Sequence, residues 1–161
     1  MFTVSLDSAA QTWALGQRLG LAALAMAEGV AAPGGVIVAL IGDLGAGKTV
    51  FAQGVGRALD AEGEVLSPTF VLIAEHAGRR PLLHADLYRV AEGEIEGLGL
   101  EEALERWPGV ALIEWADRFP EILPPDHLEI RLEHAAEGRI ARVCATGPRH
   151  AALAGALQGA S

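Results

Sequence analysis

The sequence predicts an α/β domain organised around one glycine-rich turn, and three consecutive features predict it. Val36–Ile41 is an unbroken apolar run rich in β-branched residues, which is typical of a strand buried on both faces. Gly42–Thr49 follows at once and reads GDLGAGKT, a full match to the phosphate-binding pattern G-x-x-x-x-G-K-S/T. Apolar residues then recur at helical spacing, at Val50, Phe51, Gly54, Val55 and Ala58, before Asp60. A strand therefore leads into a turn that opens a helix, which is the context that the pattern requires.

The glycine-rich turn has the composition of a nucleotide phosphate site. Small residues allow several main-chain N–H groups to point into one concavity, and the start of the helix adds a favourable field for an anion. Lys48 is the only lysine in the chain, and a compact ammonium suits this position better than a planar guanidinium. We expect Lys48 to reach the β- and γ-phosphates and the Thr49 hydroxyl to hold Mg²⁺. The alternative is a glycine-rich turn with an incidental lysine. The predicted nucleotide-binding residues are Gly42, Asp43, Leu44, Gly45, Ala46, Gly47, Lys48, Thr49 and Val50.

Composition and charge exclude several classes of protein. A length of 161 residues, with 51% hydrophobic residues and a mean hydropathy of +0.30, predicts one domain over residues 1–161 with an ordinary core. The net charge of −9 repels a phosphodiester backbone, so direct binding to nucleic acid is disfavoured. Cys144 has no partner for a disulfide, the first residues lack a basic signal-peptide segment, and no apolar run is long enough to cross a membrane. We expect a cytoplasmic protein.

The chain before the turn predicts one strand and one long helix. Phe2–Leu6 alternates like a short edge strand. Ser8 and Gln11 have the spacing of a capping box and predict the start of a helix that runs to about Glu28. Gly29–Gly35 predicts a turn into the next strand. The helix residues expected to face the core are Trp13, Leu19, Ala22, Ala23 and Met26.

The chain after the helix of the turn predicts two hairpins, a further strand and an acidic helix. The predicted strands are Val71–His76, Pro81–Asp86, Val110–Trp115, His127–Glu133 and Arg139–Thr146. The first two are joined by Ala77–Arg80 and the last two around Glu137 and Gly138. Glu92–Arg106 predicts an acidic helical region, either a solvated face or a docking face for a basic partner. His150–Ala160 predicts a weak alanine-rich helix, in a terminal segment 148–161 that could fray.

Two acids stand at the predicted ends of apolar strands. Asp86 follows Leu82–Ala85, and Glu114 follows Val110–Ile113. Ligands bind at the carboxyl edge of open α/β sheets, and a phosphate site needs an acid there to manage its metal. We expect Asp86 to bind Mg²⁺ through water and Glu114 to orient or deprotonate the attacking water, although the two roles could be exchanged. The alternative is two ordinary acids at strand ends.

Five further residues are candidates for the site, and three of them have an alternative interpretation. Thr69 either binds the metal while a γ-phosphate is present, as in a nucleotide switch, or belongs to a capped loop entering a strand. Trp115 either packs in the core or stacks on adenine, and His84 is more typical of a core histidine than of a ligand. Arg89 and Arg118 are candidates for a charge-stabilising arginine finger.

With these stretches on the page, the chain resembles the TsaE family, the bacterial ATPase of the pathway that makes threonylcarbamoyladenosine beside the tRNA anticodon. The resemblance covers about residues 3 to 145. It departs from the family pattern at Phe70, where tyrosine is usual, and at Ala85, where phenylalanine is usual. The segments that carry it are GDLGAGKT (Gly42–Thr49), SPTF (Ser67–Phe70), HADLYR (His84–Arg89), LGLEE (Leu98–Glu102) and LIEWADR (Leu112–Arg118).

The resemblance implies several properties. They are a P-loop NTPase-like three-layer fold with a mixed sheet, ATP as the nucleotide, and Mg²⁺ held near Thr49, Asp86 and Glu114. It also implies a contact between the base and the first helix, at Thr12, and partnership with the TsaD and TsaB proteins. In that family hydrolysis resets the partner complex between turnovers. The net charge of −9 also suits a protein that reaches tRNA only through others.

Three hypotheses follow for the function. The favoured one is a partner-regulated, slow ATPase of tRNA modification. A small-molecule kinase is the second, although the sequence shows no inserted lid or basic acceptor domain. A non-catalytic, nucleotide-dependent scaffold is the third.

Overall fold

The architecture is a seven-stranded sheet with helices on one face and short helices and loops on the other. In the computed structural model, residues 1–28 and 34–159 are described, so most of the predicted turn at Gly29–Gly35 lies outside the described residues. The strands are β1 (Phe2–Leu6), β2 (Val36–Ile41), β3 (Ile73–His76), β4 (Leu82–Asp86), β5 (Val110–Glu114), β6 (Leu128–His134) and β7 (Arg139–Ala145). The α-helices are α1 (Ala9–Ala27), α2 (Lys48–Ala58), α3 (Leu100–Arg106) and α4 (Pro148–Gly159), with single turns of 3₁₀-helix at Glu96–Leu98, Ala116–Arg118 and Pro120–Ile122.

The sheet has a parallel centre and antiparallel edges. Its strand order is β1-β7-β6-β2-β5-β4-β3. β2 runs parallel to both β5 and β6, and β4 runs parallel to β5. The pairs β1–β7, β6–β7 and β3–β4 are antiparallel. The predicted mixed sheet and both predicted hairpins are confirmed.

Alternate residues of the central strands feed two separate cores, because successive side chains point to opposite faces. Val38, Leu40 and Leu112 pack with α1, α2 and α4 in one core. Ile37, Ala39 and Ile113 pack with α3 and the 3₁₀ turns in the other. The sheet is therefore buried on both faces, which explains why β2 is apolar at every position and confirms the three-layer fold.

Glycines allow α1 and α2 to approach each other closely. A Cβ atom on Gly16 would lie 2.1 Å from the Phe51 carbonyl oxygen, and one on Gly54 would lie 2.0 Å from the Trp13 carbonyl oxygen. Leu19 and Ala23 are buried as expected, and Ala22 and Met26 pack at the margin of the core. Trp13 is only half-buried, so the prediction that it points into the core is wrong. Because the backbones of α1 and α2 approach so closely, α1 faces α2 with Gly16 and Gly20.

The structure corrects several other predicted boundaries, and those of β4, β6, β7 and α4 shift by one or two residues. β3 begins at Ile73 rather than Val71, because the Leu72 N–H donates to the Pro68 carbonyl and closes a turn. The acidic region is α-helical only from Leu100, since the glycines before it weaken a helix. β5 ends at Glu114, one residue before its predicted end.

Candidate functional site

The glycine-rich turn joins the carboxyl end of β2 to the first residue of α2. Gly47, with φ 106°, is the residue before the helix, and Gly42 has φ 151°. A side chain at Gly47 would be strained whatever its size, and a Cβ at Gly42 would meet the Leu132 carbonyl oxygen at 2.4 Å. The turn therefore needs glycine at these positions in order to bring its main-chain N–H groups and the helix start to one place.

Lys48 is buried in the turn and is held by it. Its Nζ donates to the carbonyl oxygens of Gly42 at 2.6 Å and Asp43 at 3.0 Å. The same ammonium lies 4.3 Å from the ring centroid of Trp115, a cation–π contact. Burial lowers the pKa of Lys48, and the nearby carboxylates of Glu114 and Asp86 oppose that shift. An anion carries more charge than a carbonyl oxygen. An anion in the cavity would therefore attract the Lys48 ammonium more strongly than its present carbonyl partners do.

Asp86 is the centre of a hydroxyl–carboxylate cluster. Its Oδ2 accepts hydrogen bonds from Ser67 Oγ at 2.8 Å and Thr69 Oγ1 at 3.0 Å. Its Oδ1 accepts from the Tyr88 N–H at 2.9 Å. Both oxygens of the carboxylate are thus oriented by the protein, and the Ser67–Thr69 loop is fastened to the end of β4.

Glu114 lies beside Asp86 on the next strand, and His84 orients it. The two acids are register partners across β4 and β5. His84 Nε2 lies 2.8 Å from Glu114 Oε1, and both residues are buried. A carboxylate only accepts, so Nε2 carries the proton. His84 Nδ1 is then left without a partner in the described part of the chain. The interpretation of His84 as a core histidine is correct for its burial and incomplete for its contact.

Trp115 is turned out of the sheet at the end of β5. Its backbone is left-handed, with φ 59°, and its N–H donates to the Leu40 carbonyl oxygen at 3.0 Å. The Tyr88 ring lies 4.9 Å away in a tilted arrangement. Half-buried over Lys48, Trp115 borders the space in front of the turn instead of packing wholly in the core.

These groups share one cavity of about 510 Å³, a size typical of small-molecule sites. The predicted residues that line it are Leu44, Gly45, Gly47, Lys48, Thr49, Val50, Thr69, Asp86, Glu114 and Trp115. Gly42 and Asp43 touch it only through Lys48, and Ala46 is buried beneath it. Thr12 is 1% exposed and lies against Gly47, outside the described lining of the cavity, so its contact with a base stays a prediction.

One of the two candidate arginines lines the cavity and the other does not, and a third arginine there was missed. Arg89 lines the cavity, whereas Arg118 donates to the Leu87 carbonyl oxygen at 2.6 Å and braces the chain after β4. Arg139, at the start of β7, also lines the cavity, and its Nη2 donates to the Gly45 carbonyl oxygen at 2.9 Å. The Nε of Arg139 is buried without a partner among the described residues. Its distance of 94 residues along the chain from Gly45 left no motif that could have revealed it.

The oxygen donors in the cavity suit Mg²⁺. The described residues contain no cluster of three or more His, Cys, Asp or Glu that could hold a metal ion by themselves. Mg²⁺ characteristically binds one or two carboxylates and keeps its other positions for water and substrate phosphates. Asp86, Glu114 and the hydroxyls of Thr49 and Thr69 match that requirement.

Within the described residues, no helix has the length and apolar character needed to traverse a bilayer.

Comparison with known proteins assigns the family. The model of the family described as "Threonylcarbamoyl adenosine biosynthesis protein TsaE" matches residues 6–142. The TsaE protein of Mycobacterium bovis is 39% identical over 142 residues, which cover 81% of this chain and 78% of that protein. The TsaE protein of Nostoc sp. is 44% identical over 108 residues, or 65% of this chain, and the match spans 66% of that protein's length.

A solved structure has the same fold. The crystal structure of Bacillus subtilis YdiB superposes with a TM-score of 0.78 and 28% sequence identity, and the match covers 99% of this chain and 95% of that one. The curated relatives carry the name "tRNA threonylcarbamoyladenosine biosynthesis protein TsaE". The chain therefore belongs to the TsaE family of threonylcarbamoyl adenosine biosynthesis proteins.

Proposed function

We propose that this protein is a Mg²⁺-dependent ATP hydrolase that acts with TsaD and TsaB proteins to form the threonylcarbamoyl modification on the adenosine beside the tRNA anticodon. One observation carries the proposal: a single cavity contains the glycine-rich turn, Lys48, Thr49 and two buried carboxylates from neighbouring strand ends. That set combines a phosphate cradle with the means to manage a metal and a water molecule.

The phosphates would be held by the turn and by two cations. Main-chain N–H groups and the start of α2 favour an anion in front of Gly47. Lys48 would exchange its two carbonyl partners for β- and γ-phosphate oxygens, which carry more charge. Arg139, with its unpartnered Nε, supplies a second cation at the rim of the turn.

The metal would be held by Thr49 with Asp86 and Glu114 beside it. When bound, Mg²⁺ neutralises the charge that develops on the phosphate oxygens. Asp86 already accepts three hydrogen bonds, so we assign it to the water shell of the ion instead of to direct coordination. Thr69 donates a hydrogen bond to the same carboxylate, so its position would depend on whether that water shell is present.

Glu114 would orient the attacking water and accept its proton. His84 anchors one of its carboxylate oxygens, so the position of the base is set before substrate arrives. The nucleoside is placed by Trp115 and Tyr88, whose rings border the cavity. Guanine-specific small GTPases use an N-K-x-D motif, and a chain whose only lysine is Lys48 lacks it, which supports ATP.

Hydrolysis should be slow for the isolated protein. Arg118 is committed to main-chain carbonyls, so an arginine that stabilises the transition state would have to come from Arg89 or from a partner. The net charge of −9 also suits a protein that reaches tRNA only through TsaD and TsaB.

The test is ATP hydrolysis with and without TsaD and TsaB, in Mg²⁺ and in a chelator. We expect a slow, Mg²⁺-dependent rate that the partner pair changes. Lys48→Ala should weaken Mg·ATP binding by roughly a hundredfold, because two charge-assisted hydrogen bonds are lost. Arg57→Ala, an exposed change on the same helix, is the matched control. A wild-type protein that gives neither binding heat nor hydrolysis would refute the proposal.

A further inference from the structure

Arg118 joins the loop after β4 to the turn after β5. Its Nη1 donates to the carbonyl oxygen of Leu87 at 2.6 Å and also to that of Tyr88. Its main-chain N–H donates to the Trp115 carbonyl oxygen at 3.1 Å and closes the single 3₁₀ turn at this end of β5. The residue therefore spans the ends of the two strands that carry Asp86 and Glu114.

Stacking fixes the direction in which the Arg118 guanidinium points. Its Cζ lies 5.2 Å from the ring centroid of Phe119, a ring that is 3% exposed. A guanidinium is rigid and planar, and its Nη1 carries two hydrogens, one for each carbonyl oxygen. Once the plane is stacked on Phe119, the donors are aimed at Leu87 and Tyr88 without further adjustment.

The Tyr88 main chain connects Arg118 to the carboxylate of Asp86. The Tyr88 carbonyl oxygen accepts from Arg118, and the Tyr88 N–H donates to Asp86 Oδ1 at 2.9 Å. Ser67 and Thr69 both donate to the other oxygen, Oδ2. Among the described residues, the Tyr88 N–H alone therefore orients Oδ1, and Arg118 restrains the residue that supplies it.

Leu87 depends less on Arg118 than Tyr88 does. The Leu87 N–H donates to the Glu114 carbonyl oxygen at 3.1 Å, and the Leu87 carbonyl oxygen accepts from the Val90 N–H at 3.2 Å. The Leu87 side chain is fully buried, whereas Tyr88 is 41% exposed. Removal of the guanidinium should therefore release Tyr88 and leave the end of β4 in place.

The contacts of Arg118 distinguish this role from two others. Arg118 is not among the described residues that line the cavity, whereas Arg89 is, so Arg118 does not reach a transferred phosphate. Arg118 is also exposed, and the neighbouring Leu87 is held by burial and main-chain hydrogen bonds. A role in holding the fold together would leave its contact with Tyr88 without a purpose.

We propose that Arg118 is a positioning residue that acts through the Tyr88 main chain to aim Asp86 Oδ1 at the water shell of Mg²⁺. The inference rests on the proposed function, in which Asp86 accepts from that shell. Mg²⁺ requires near-ideal octahedral geometry, so a carboxylate that bonds to its waters must be accurately oriented. Loss of Arg118 therefore weakens the preference for the metal-bound nucleotide and spares the binding of the nucleotide alone.

The first measurement needs no turnover. Calorimetry compares the affinity of the full chain for a non-hydrolysable ATP analogue with Mg²⁺ and in a chelator, and the ratio of the two affinities isolates the contribution of the metal. Arg118→Met should lower that ratio about tenfold, the lower end of the usual cost of losing an outer partner of a metal site. Arg118→Lys retains a donor and should recover part of the loss. Arg106→Met, an exposed change on α3, should leave the ratio unchanged.

The second measurement uses the protein without metal or nucleotide. In amide hydrogen exchange followed by NMR, the Tyr88 amide should exchange faster in Arg118→Met than in the wild type. The amides of β4 and β5 should keep their protection, because Leu87 and the strands are held independently of Arg118.

Several results would overturn the positioning role. A wild-type ratio in Arg118→Met is one, and an equal loss of affinity for the metal-bound and the metal-free analogue is another, since it would place Arg118 on the nucleotide. Loss of protection throughout β4 and β5, or failure of Arg118→Met to fold, would make Arg118 a brace of the fold. A wild type that shows no preference for the metal-bound analogue defeats the metal dependence of the proposed function as well, whereas a preference that survives in Arg118→Met defeats this inference alone.

Discussion

The two edges of the parallel sheet both bury charged groups, but they use them differently. At the amino edge, Arg80 donates to the carbonyl oxygens of Ala23, Gly34 and Pro108, which come from three separate segments. At the carboxyl edge, Lys48 donates only to carbonyls of its own turn, within a cavity. Arg80 ties the fold together, and Lys48 can change partners at little cost to the fold.

The histidines show the same contrast. His150 accepts from the Ile37 N–H through Nε2 at 3.0 Å and contacts Asp126 through Nδ1 at 2.7 Å, so it joins α4 to the beginning of β2. His84 contacts the Glu114 carboxylate that borders the cavity. Burial alone therefore does not distinguish structural from chemical roles. The distinction comes from whether the partner is fixed main chain or an ionisable group facing a cavity.

The largest expected effect is at the carboxyl edge. Glu114→Gln keeps an acceptor for His84 and removes the base, so ATP turnover should fall about 10²- to 10⁴-fold. Steady-state hydrolysis measures the rate, and calorimetry should show Mg·ATP binding retained. Glu121→Gln, an exposed change, is the control. Turnover at the wild-type rate would remove Glu114 from the chemistry and favour a nucleotide-dependent scaffold.

Removal of the residue that positions Glu114 should have a smaller effect. His84→Ala should lower kcat about 10- to 100-fold and leave KM nearly unchanged. Loss of a hydrogen-bond partner that orients a functional side chain usually lowers activity by that factor. His84→Gln, which retains an N–H donor, should recover part of the loss. If both variants lose stability and keep kcat, His84 belongs with the structural histidines.

At the amino edge we expect a loss of stability without a loss of ATP turnover. Arg80→Met leaves the buried Ala23 carbonyl and the carbonyls of Gly34 and Pro108 without their donor, so the free energy of unfolding should fall by about 1–3 kcal/mol. Urea denaturation measures it, and ATP turnover per folded molecule should not change. Arg79→Met, the exposed neighbour, provides the matched control. A lowered turnover in folded Arg80→Met would show that the two edges are coupled.

The smallest effect is a pH dependence of stability at the amino edge. Burial lowers the pKa of His150, and Asp126 opposes this while Arg149 and His127 add to it. A lowered histidine pKa means that the unfolded chain takes up the proton first, so stability should fall as the pH drops through about 6.5. The hydrogen bonds from His150 and from the main-chain N–H groups of Arg149 and His150 outweigh burial and lower the pKa of Asp126, so its contribution is lost only in stronger acid.

Thermal melts between about pH 7.5 and pH 5.5 test this titration of His150. His150→Gln should flatten the dependence, and His134→Gln at an exposed position should not. An unchanged slope in His150→Gln would assign the dependence to other groups.

Much of this site could be predicted from the sequence, because local patterns define it. The apolar run of β2, the glycine turn and the acids that end β4 and β5 each occupy a few consecutive residues. Parallel pairing then brings Asp86 and Glu114 into register without further information. The resemblance to the TsaE family rests on short segments that include these.

The remaining features depend on contacts between distant segments. Arg139 donates a hydrogen bond to Gly45, which lies 94 residues away in the chain. No sequence motif indicates the register of the hairpin that brings Arg139 to this position. The contact of His84 with Glu114 depends on the register of β4 and β5. The sequence predicts Trp13 in the core because large apolar residues usually face inward. The close backbone approach at Gly16 and Gly54 overrides that preference.

The glycine seam between α1 and α2 has a consequence for mechanics. Since carbonyl oxygens of each helix occupy the space where the other would carry a Cβ, neither helix can slide or rotate without steric collision. The two helices form one block, and the glycine-rich turn that opens α2 moves with it. A force applied to α1 would therefore displace the glycine-rich turn together with α2.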